Sequence, residues 1–463
     1  MNLGVNPRLG VFPAQPRVAE AVLALARAIE RAGGRFFLVG GGVRDALLGR
    51  PVRDVDSEVY GLEPDQLEPI LARFGSTSTV GKSFAVYKLR GLPIDVSLPR
   101  KEQKIAPGHQ GFAIEADPFM DPAQAAARRD FTVNAMLFDP LQERLLDPHG
   151  GQADLAARRL RHTSRAFAED PLRVLRGMQF IARFGLAPAP ETLALCRQMT
   201  PEGLAFERVG EEWRKLLIDG TALGDGLRFL RATGWLRYFP ELAALVRCPQ
   251  NPAWHPEGDA WEHTLHCLDA FARARTDDAW EEWVVGLAVL CHDLGKATHT
   301  AWSDGQWRSP GHEAAGAGPT TRFLARLTAH EAVAAAVLPL VTTHMRPAQL
   351  RDSDASDAAI RRLARAAGRL DRLARVSIAD ASGRPPEPPD DSTGRWLLHR
   401  AETLALRDEA PKPILQGRHL IALGHKPGKR FGPILADAFE AQLDGAFADE
   451  AGGVAYLRAQ GLG

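Results

Sequence analysis

The stretch FFLVGGGVRDALLGRPVRDVD, residues 36–56, predicts the fold of the first part of this chain. Its apolar start predicts a strand at Phe36–Val39, after which three glycines lead into a short helix that ends at Gly49. A second strand is expected to carry Asp54 and Asp56. Glycines allow a tight turn and close approach of a ligand, and amides at a helix N-terminus bind phosphate. The stretch therefore predicts a phosphate-binding turn beside two carboxylates.

These residue types suit nucleotidyl transfer. Side chains two apart on a strand point to one face, about 6.6 Å apart along it. Asp54 and Asp56 are therefore expected to converge, as a pair of Mg²⁺ ions roughly 3.5–4 Å apart requires. Gly41, Gly42 and Arg44 are the expected contacts to a polyphosphate. A glycine turn or a D-x-D pair alone is common on protein surfaces, and only their joint order is specific.

This order resembles the nucleotidyltransferase head of the DNA polymerase β superfamily. Within that group, GGGVRDALLGRPVRDVD is similar to class II tRNA nucleotidyltransferases, the CCA-adding enzymes, and to poly(A) polymerases. The resemblance implies an α+β fold, in which a polymerase β-like head with a small mixed sheet and helices precedes a mostly α-helical body. It implies addition of C, C and A to the 3′ end of tRNA from CTP and ATP, with release of pyrophosphate by a two-metal mechanism.

Three further features of the head bear on this interpretation. Asp95, on a predicted strand, is a candidate third carboxylate, although an ordinary strand-end aspartate would look the same. Poly(A) polymerases of the family tend to carry a basic pair before Phe where this chain has Ser83, which favours the tRNA enzyme. The segment Pro99–Ala116 is expected to be a mobile loop. In the family such a loop switches the enzyme from C to A addition, which argues against a CC-only enzyme.

The segment RRDFTVNA, residues 128–135, matches the second motif of the family. Two adjacent arginines alone are typical of a solvated charge pair. Within the resemblance, Arg129 would contact the sugar or phosphates of the nucleotide. Asp130 and Asn134 would brace the site.

The segment AFAEDPLRVLRGMQFIARF predicts a helix over Ala166–Phe184, with Pro171 in its first turn. Asp170, Arg173 and Arg176 are three apart and are expected to line one side of it. Cytosine and adenine each present an amino donor beside an unprotonated ring nitrogen, and a carboxylate beside a guanidinium complements that pair. An i, i+3 surface ion pair has the same spacing. In the family motif that EDPLRVLR resembles, the Asp and first Arg select the base and the second Arg holds the triphosphate.

Histidines and aspartates in the C-terminal half resemble the HD phosphohydrolase superfamily. Any one of these histidines alone is more often a surface or core residue than a ligand. The implied metal ligands are His263, His292, Asp293 and Asp380, with His312 and His344 as candidate extra ligands. The resemblance implies a divalent transition metal and hydrolysis of phosphoesters such as 2′,3′-cyclic phosphates. Lys296 would contact a substrate phosphate or cap its helix.

Composition limits the alternatives. The 463 residues include 57 basic and 57 acidic side chains, so RNA binding must depend on a local patch. Four cysteines without a C-x-x-C pair indicate neither a disulfide framework nor a zinc ribbon. The apolar runs are shorter than the ~20 residues of a membrane span. We expect a cytoplasmic protein without membrane contact, whose oligomeric state the sequence does not indicate.

The motifs divide the chain into five segments. These are an N-terminal tail and helix (1–34), the head (35–161), a helical neck with the base-selecting helix (162–250), an HD domain (251–384), and a linker with a helical tail (385–463). In the tail, Lys426, Lys429 and Arg430 form a basic loop that is either a contact to tRNA phosphates or a solvated cap. Two alternatives stay open: a poly(A) polymerase or A-only adding enzyme, and an HD phosphohydrolase with an inactive head.

Overall fold

The structure, a computed structural model, describes residues 15–52, 54–79, 86–104 and 112–462. The chain forms two compact units, Met1–Glu212 with Arg228–Trp235, and Trp213–Leu227 with Leu236–Gly463. The segment 162–250, predicted as one neck, contributes to both units. Ser83 and the centre of the predicted loop at 99–116 lie outside the described residues.

The first unit is built on a mixed sheet. Its strands are β1 (Arg35–Val39), β2 (Val55–Tyr60), β3 (Thr77–Thr79), β4 (Val86–Leu89), β5 (Ile94–Ser97), β6 (Arg100–Lys104), β7 (Phe112–Ala116), β8 (Leu137–Asp139), β9 (Arg144–Leu146), β10 (Arg159–Leu160) and β11 (Ala187–Pro188). Within the described residues, seven of them form one sheet in the order β3-β4-β5-β2-β1-β8-β9. Strands β2 and β5 are parallel. The first strands of the motif, β1 and β2, therefore lie at the centre of the sheet.

This part of the chain also forms helices, the last two of which contain residues of both units. They are α1 (Pro16–Arg31), α2 (Gly41–Leu47), α3 (Pro64–Leu71), α4 (Pro122–Ala126), α5 (Gly151–Ala156), α6 (Leu172–Phe184), α7 (Pro190–Arg197), α8 (Phe206–Asp219) and α9 (Leu223–Ala232). Helix α1 buries Val22, Leu25 and Ile29 and packs against β1, as its apolar spacing predicts. On the sheet itself, Phe37 is fully buried and meets Tyr60 edge to face. This packing fixes β1 and β2, the two strands on either side of the glycine turn and the helix that follows it.

Two expectations from the sequence are wrong in detail. The segment 99–116 was expected to be a loop, but β6 and β7 pair antiparallel, with Arg100 opposite Ala116. The sequence did not predict β6 as a strand because it contains charged residues, and Lys and Glu are uncommon in strands. The helix expected from Ala166 begins only at Leu172, because a residue that precedes a proline disfavours the helical conformation. Asp170 is accordingly extended, with φ −122° and ψ 103°.

The second unit is largely helical. Its further helices are α10 (Pro240–Ala243), α11 (Ala260–Arg273), α12 (Ala279–Cys291), α13 (Lys296–His299), α14 (His312–Ala315), α15 (Ala317–Ala325), α16 (Glu331–Thr343), α17 (Arg346–Asp352), α18 (Asp357–Ala367), α19 (Leu370–Ala381), α20 (Ser392–Thr403), α21 (Gly417–Ala422), α22 (Phe431–Leu443) and α23 (Glu450–Ala459). Strands β12 (Ala301–Ser303) and β13 (Gln306–Arg308) form a hairpin. Helices α11, α12 and α19 pack together at the core of the second unit.

The predicted fold class, an α+β head with a small mixed sheet followed by a mostly helical body, is confirmed. Residues 383–391, between α19 and α20, contain neither helix nor strand. Across the described part of the chain, every helix is too short or too polar to span a bilayer.

Candidate active site and metal centre

The turn between β1 and α2 comes close to charged side chains. Gly40 has a φ of +71°, in the left-handed region that favours glycine. A Cβ atom there would lie 3.2 Å from a guanidinium nitrogen of Arg129 and 3.6 Å from Oδ2 of Asp56. Gly41 also faces the cleft beside this turn, whereas Gly42 packs against Val52. The structure therefore brings Gly41, but not Gly42, to the predicted phosphate site.

Acidic side chains collect at one end of β2. Asp56 lies on β2 and its partner in the parallel register is Asp95 on β5. Asp54 comes just before β2, which begins at Val55 rather than at the predicted Asp54. Asp95 also forms an ion pair of 3.0 Å with Lys88. The sequence prediction that Asp95 faces the same site as Asp56 thus agrees with the strand register.

The environment of Asp56 suits a cation. Its side chain is accessible from a cleft of about 480 Å³, which Asp95 also lines. Partial burial raises the pKa of Asp56; Arg129 lowers it, and the carboxylates of Asp95 and Asp54 raise it further, so the net direction is upward. A raised pKa reflects unfavourable negative charge, which a bound divalent cation would relieve.

The RRDFTVNA segment forms a buried hydrogen-bond network. Oδ1 of Asp130 accepts a hydrogen bond of 3.0 Å from the side-chain amide of Asn134. It accepts a second, of 2.7 Å, from the backbone N–H of Phe131. Oδ2 of Asp130 accepts one of 2.7 Å from Nε of Arg176. Burial raises the pKa of Asp130, but Arg176 and Asn134 outweigh it and hold the pKa below its ordinary value. Asp130 is therefore a fixed negative charge that orients two side chains of the site.

The structure does not place Arg44 where the sequence suggested. Its side chain is buried, with 4% exposed, and donates a hydrogen bond of 2.6 Å to Asn134 and two to Asp45. Its guanidinium also stacks 4.2 Å from the ring of Phe184. The apolar and aromatic surface of α6 holds this arginine inside the unit, so it braces the turn instead of facing a triphosphate.

The predicted base-selecting residues line the same cleft as Asp56. Asp170 and Arg173 both border it, as does Arg176. Because Asp170 precedes α6, its Oδ1 accepts the backbone N–H of Leu172 at 3.1 Å. The guanidinium of Arg173 donates to the carbonyls of Ala166 and Arg128, both at 2.7 Å. The two groups are therefore held in fixed positions by the surrounding backbone.

Sequence reasoning missed Arg208 on α8. Its guanidinium donates a hydrogen bond of 2.8 Å to Oδ2 of Asp170 and also borders the cleft. Arg208 lies in FERVGEEWRKLL, which predicts an amphipathic helix and resembles the neck of the family, where basic residues would orient tRNA; a contact with Asp170 was not predicted. No spacing signal links residues 38 positions apart on separate elements.

The predicted metal ligands of the second unit converge on one buried carboxylate. Asp293 is 1% exposed. Its Oδ2 lies 3.3 Å from Nε2 of His292 and 3.9 Å from Nε2 of His263. Its Oδ1 lies 3.3 Å from Nε2 of His312 and 3.9 Å from Nε2 of His344. The four predicted histidines, on separate elements, thus direct the same ring nitrogen at Asp293.

Hydrogen bonds to backbone carbonyls orient three of these histidine rings. The Nδ1 atoms of His292, His312 and His344 each lie 2.7 Å from a backbone carbonyl three residues earlier. A carbonyl only accepts, so each Nδ1 carries the proton and each Nε2 presents a lone pair. Burial, with the nearby His292, lowers the pKa of His344 to about 3, which keeps its ring neutral. This is the arrangement that metal-binding histidines use.

The remaining predicted ligand, Asp380, completes the cluster. Its Oδ1 lies 3.1 Å from Nε2 of His263, whose Nδ1 lies 2.7 Å from Glu257. Lys296 contacts Asp293 at 2.7 Å and Arg384 contacts Asp380 at 3.0 Å. Nε2 of His292 and Oδ1 of Asp293 are buried without a hydrogen-bond partner, whereas Oδ2 of Asp293 is paired with Lys296. Buried polar atoms normally have partners, and here a metal ion would supply them.

Comparisons with known proteins agree with the motif-based resemblance. Residues 36–161 match the family model of the poly A polymerase head domain. A multifunctional CCA protein of Halorhodospira halophila is 44% identical over 317 residues, which cover 67% of this chain and 73% of that protein. One from Xanthomonas campestris is 38% identical over 364 residues, 76% of this chain and 85% of that protein.

Solved structures share the fold. A CCA-adding enzyme of Bacillus stearothermophilus in complex with CTP superposes with a TM-score of 0.67 at 23% identity, over 96% of this chain and 98% of that chain. The Thermotoga maritima CCA-adding enzyme complexed with tRNA gives a TM-score of 0.60 at 19% identity, over 96% of both chains. The fold class predicted from the sequence is thus the fold of these proteins.

Proposed function

Because the chain belongs to the multifunctional CCA protein family, we propose that it adds C, C and A to the 3′ end of tRNA, with CTP and ATP as substrates. One observation on this chain supports the proposal. The carboxylates of Asp56 and Asp95 line the same cleft as Arg129 and the pair Asp170 and Arg173. A nucleotide there would have metal-binding carboxylates and a guanidinium near its phosphates, and hydrogen-bonding groups near its base.

The chemistry proposed for the cleft is two-metal phosphoryl transfer. Asp54 and Asp56, with Asp95 beside them, would hold Mg²⁺, which lowers the charge of the triphosphate and activates the 3′-hydroxyl of tRNA. The hydroxyl oxygen bonds to the α-phosphorus, the bond to the β-phosphate oxygen breaks, and pyrophosphate leaves. Arg129 borders the cleft next to the turn at Gly40 and would bind the phosphates, together with amides near Gly41. Arg176 would support them from α6.

Base selection is assigned to Asp170 and Arg173. A carboxylate accepts from the amino group of cytosine or adenine, and a guanidinium donates to the adjacent ring nitrogen. Uracil and guanine present a carbonyl beside an N–H and would leave both groups mismatched, at about 1–3 kcal/mol for each unsatisfied group. The backbone and Arg208 hold these two side chains, which favours a rigid template for both CTP and ATP.

The experiment that tests this function uses tRNA transcripts that end before C, after CC and after CCA. Each is incubated with the protein, Mg²⁺, CTP and ATP, and the products are sized. Extension that stops at CCA on every transcript is the expected result. A ladder of A residues would indicate a poly(A) polymerase, and growth only on the CC-ended transcript would indicate an A-only adding enzyme.

We propose a second activity, metal-dependent phosphoester hydrolysis, for the HD cluster around Asp293. It is supported by the orphaned buried atoms of His292 and Asp293 and by the neighbouring cations Lys296 and Arg384, which suit a substrate phosphate. A divalent transition metal held there would supply an activated water at neutral pH. Hydrolysis of 2′,3′-cyclic phosphates would free 3′ ends for nucleotide addition.

This activity is measured with 2′,3′-cyclic AMP and bis(p-nitrophenyl) phosphate in the presence of Mn²⁺, Co²⁺, Ni²⁺ or Zn²⁺. His292→Ala is expected to abolish hydrolysis and leave CCA addition intact. His266→Ala, a half-buried histidine on α11, is the matched control. Equal loss of hydrolysis in both variants would reject the cluster as its site.

A further inference from the structure

The cluster around Asp293 divides into two groups of potential ligands. Within the described residues, donor atoms of His263, Cys267, His292 and Asp380 all lie within 4.8 Å of one another. Donor atoms of Asp293, His312 and His344 form a second such group. Cys267 was not expected there, because a lone cysteine in the sequence carries no ligand signal. Its thiol is nevertheless fully buried in the first group.

The position of Cys267 follows from helical spacing. It lies four residues after His263 on α11, so both side chains project from the same face. Its Sγ is 3.4 Å from Nε2 of His263 and 3.8 Å from the backbone carbonyl of Asp380. A Cβ on Gly383 would lie 2.4 Å from this sulfur. The glycine after α19 therefore lets the loop close directly onto the thiol.

The spacing of the donor atoms fits a shared ion. Zinc binds cysteine sulfur at about 2.3 Å and histidine nitrogen at about 2.0–2.1 Å, so the two donors on a tetrahedral ion are roughly 3.5 Å apart. The observed distance between Sγ of Cys267 and Nε2 of His263 is 3.4 Å. A second observation points into the same space, since the fully buried Nε2 of His292 has no hydrogen-bond partner.

Asp293 lies between the two groups. Its Oδ2 faces His292 of the first group and its Oδ1 faces His312 of the second, each at 3.3 Å. Nζ of Lys296 also forms an ion pair of 2.7 Å with Oδ2. A carboxylate that directs one oxygen to each group is suited to bridge two ions, as carboxylates do in two-metal hydrolytic sites.

We propose that the HD cluster is a two-ion centre in which Cys267 supplies a thiolate to one ion. That ion is held by His263, Cys267, His292 and Asp380; the second is held by His312 and His344, and Asp293 bridges the two. A thiolate ligand selects thiophilic cations such as Zn²⁺ or Co²⁺ over Mg²⁺. The proposal rests on the phosphohydrolase function proposed above and specifies its metal.

The test uses the full-length protein, stripped with a chelator and titrated with Co²⁺. The expected result is binding of about two ions per chain beyond those held at Asp54 and Asp56, and a sulfur-to-cobalt charge-transfer band in the near ultraviolet. Cys267→Ser should lose this band and keep the visible bands of bound cobalt. The control is Cys248→Ser, since that buried thiol contacts Thr300 and lies outside both groups. Its spectrum should match that of the unmodified protein.

The outcomes separate the two proposals. Cobalt binding without a charge-transfer band, or with a band that survives in Cys267→Ser, would overturn the thiolate assignment and leave the phosphohydrolase proposal standing. A folded protein that binds no transition metal would overturn both. X-ray absorption at the zinc edge of the unmodified, zinc-loaded protein needs no variant. It should show a sulfur shell at about 2.3 Å that averages about half a sulfur per zinc or less, since one thiolate serves two ions, and a shell of nitrogen and oxygen alone would reject the proposal.

Discussion

Arg208 donates a hydrogen bond of 2.8 Å to the carboxylate of Asp170, across 38 residues of chain. The side chain of Asp170 is about one quarter exposed, so its orientation depends on this partner and on the N–H of Leu172. A group that reads a base must be held in one position, because a mobile carboxylate would accept from several donors. Arg208 therefore belongs to the machinery proposed to select the base, although it was not predicted from the sequence.

Arg208→Ala should weaken base selection. Loss of a hydrogen bond to a charged, partly exposed group costs about 1 kcal/mol, which corresponds to roughly a fivefold fall in kcat/KM for CTP and ATP. Misincorporation of UTP should rise at the same time. Competition assays with mixed nucleotides measure both effects. Arg214→Ala, an exposed arginine on the same helix, is the control, and an equal change in that variant would contradict the assignment.

Arg173→Ala should relax base choice more than it slows turnover. Its guanidinium is tied to two carbonyls and is assigned to the ring nitrogen of the base. We expect discrimination against UTP and GTP to fall about tenfold, as for loss of one or two polar contacts. Single-turnover rates with each nucleotide provide the measurement. Unchanged discrimination would show that another group reads the base.

Asp56→Ala should abolish nucleotide addition and preserve hydrolysis of cyclic phosphates. The first activity is proposed to depend on the carboxylates at the end of β2, whereas the second is assigned to a different cluster of the chain. Both activities are measured on one preparation, with Asp65→Ala on α3 as an exposed acidic control. Loss of both activities in a folded Asp56→Ala protein would contradict two separate sites.

Asp56→Asn should stabilise the metal-free protein at neutral pH. The raised pKa of Asp56 means that its charged form is disfavoured in the folded state. The stability that this group contributes is present below its unfolded pKa of about 3.9 and is lost as pH rises through the folded value. The amide avoids that loss, so Tm should increase at pH 7 and the gain should vanish below about pH 4. Thermal unfolding without Mg²⁺ tests this, and a decrease in Tm at pH 7 would refute it.

Arg44→Ala should destabilise the first unit. The substitution removes the contacts of a buried guanidinium with Asn134, Asp45 and Phe184, which we expect to lower the free energy of unfolding by about 2 kcal/mol. Arg50→Ala, on the exposed side of Phe184, should change it by less than about 0.5 kcal/mol. Urea denaturation gives both values. A stable Arg44→Ala protein that no longer binds CTP would restore the original phosphate-clamp prediction.

Features that neighbouring residues determine were predicted from the sequence, whereas several contacts between distant residues were not. The glycine turn between β1 and α2 follows from local rules, and it was predicted correctly. The inward direction of Arg44 depends on Phe184, 140 positions later in the sequence, and no local pattern encodes that contact. The β6–β7 pairing was missed because its polar residues have low strand propensity. In the second unit, the resemblance placed four ligands together, but the approach of Cys267 required the loop at Gly383.

The carbonyl contacts of His292, His312 and His344 each span only three residues. Each ring is therefore oriented by its own short segment of backbone, and this orientation does not depend on the ion that the ring would bind. Such a centre can exchange its ions without refolding of the surrounding helices. Chelation would then switch the proposed hydrolytic activity off reversibly, so the supply of metal would control it separately from nucleotide addition.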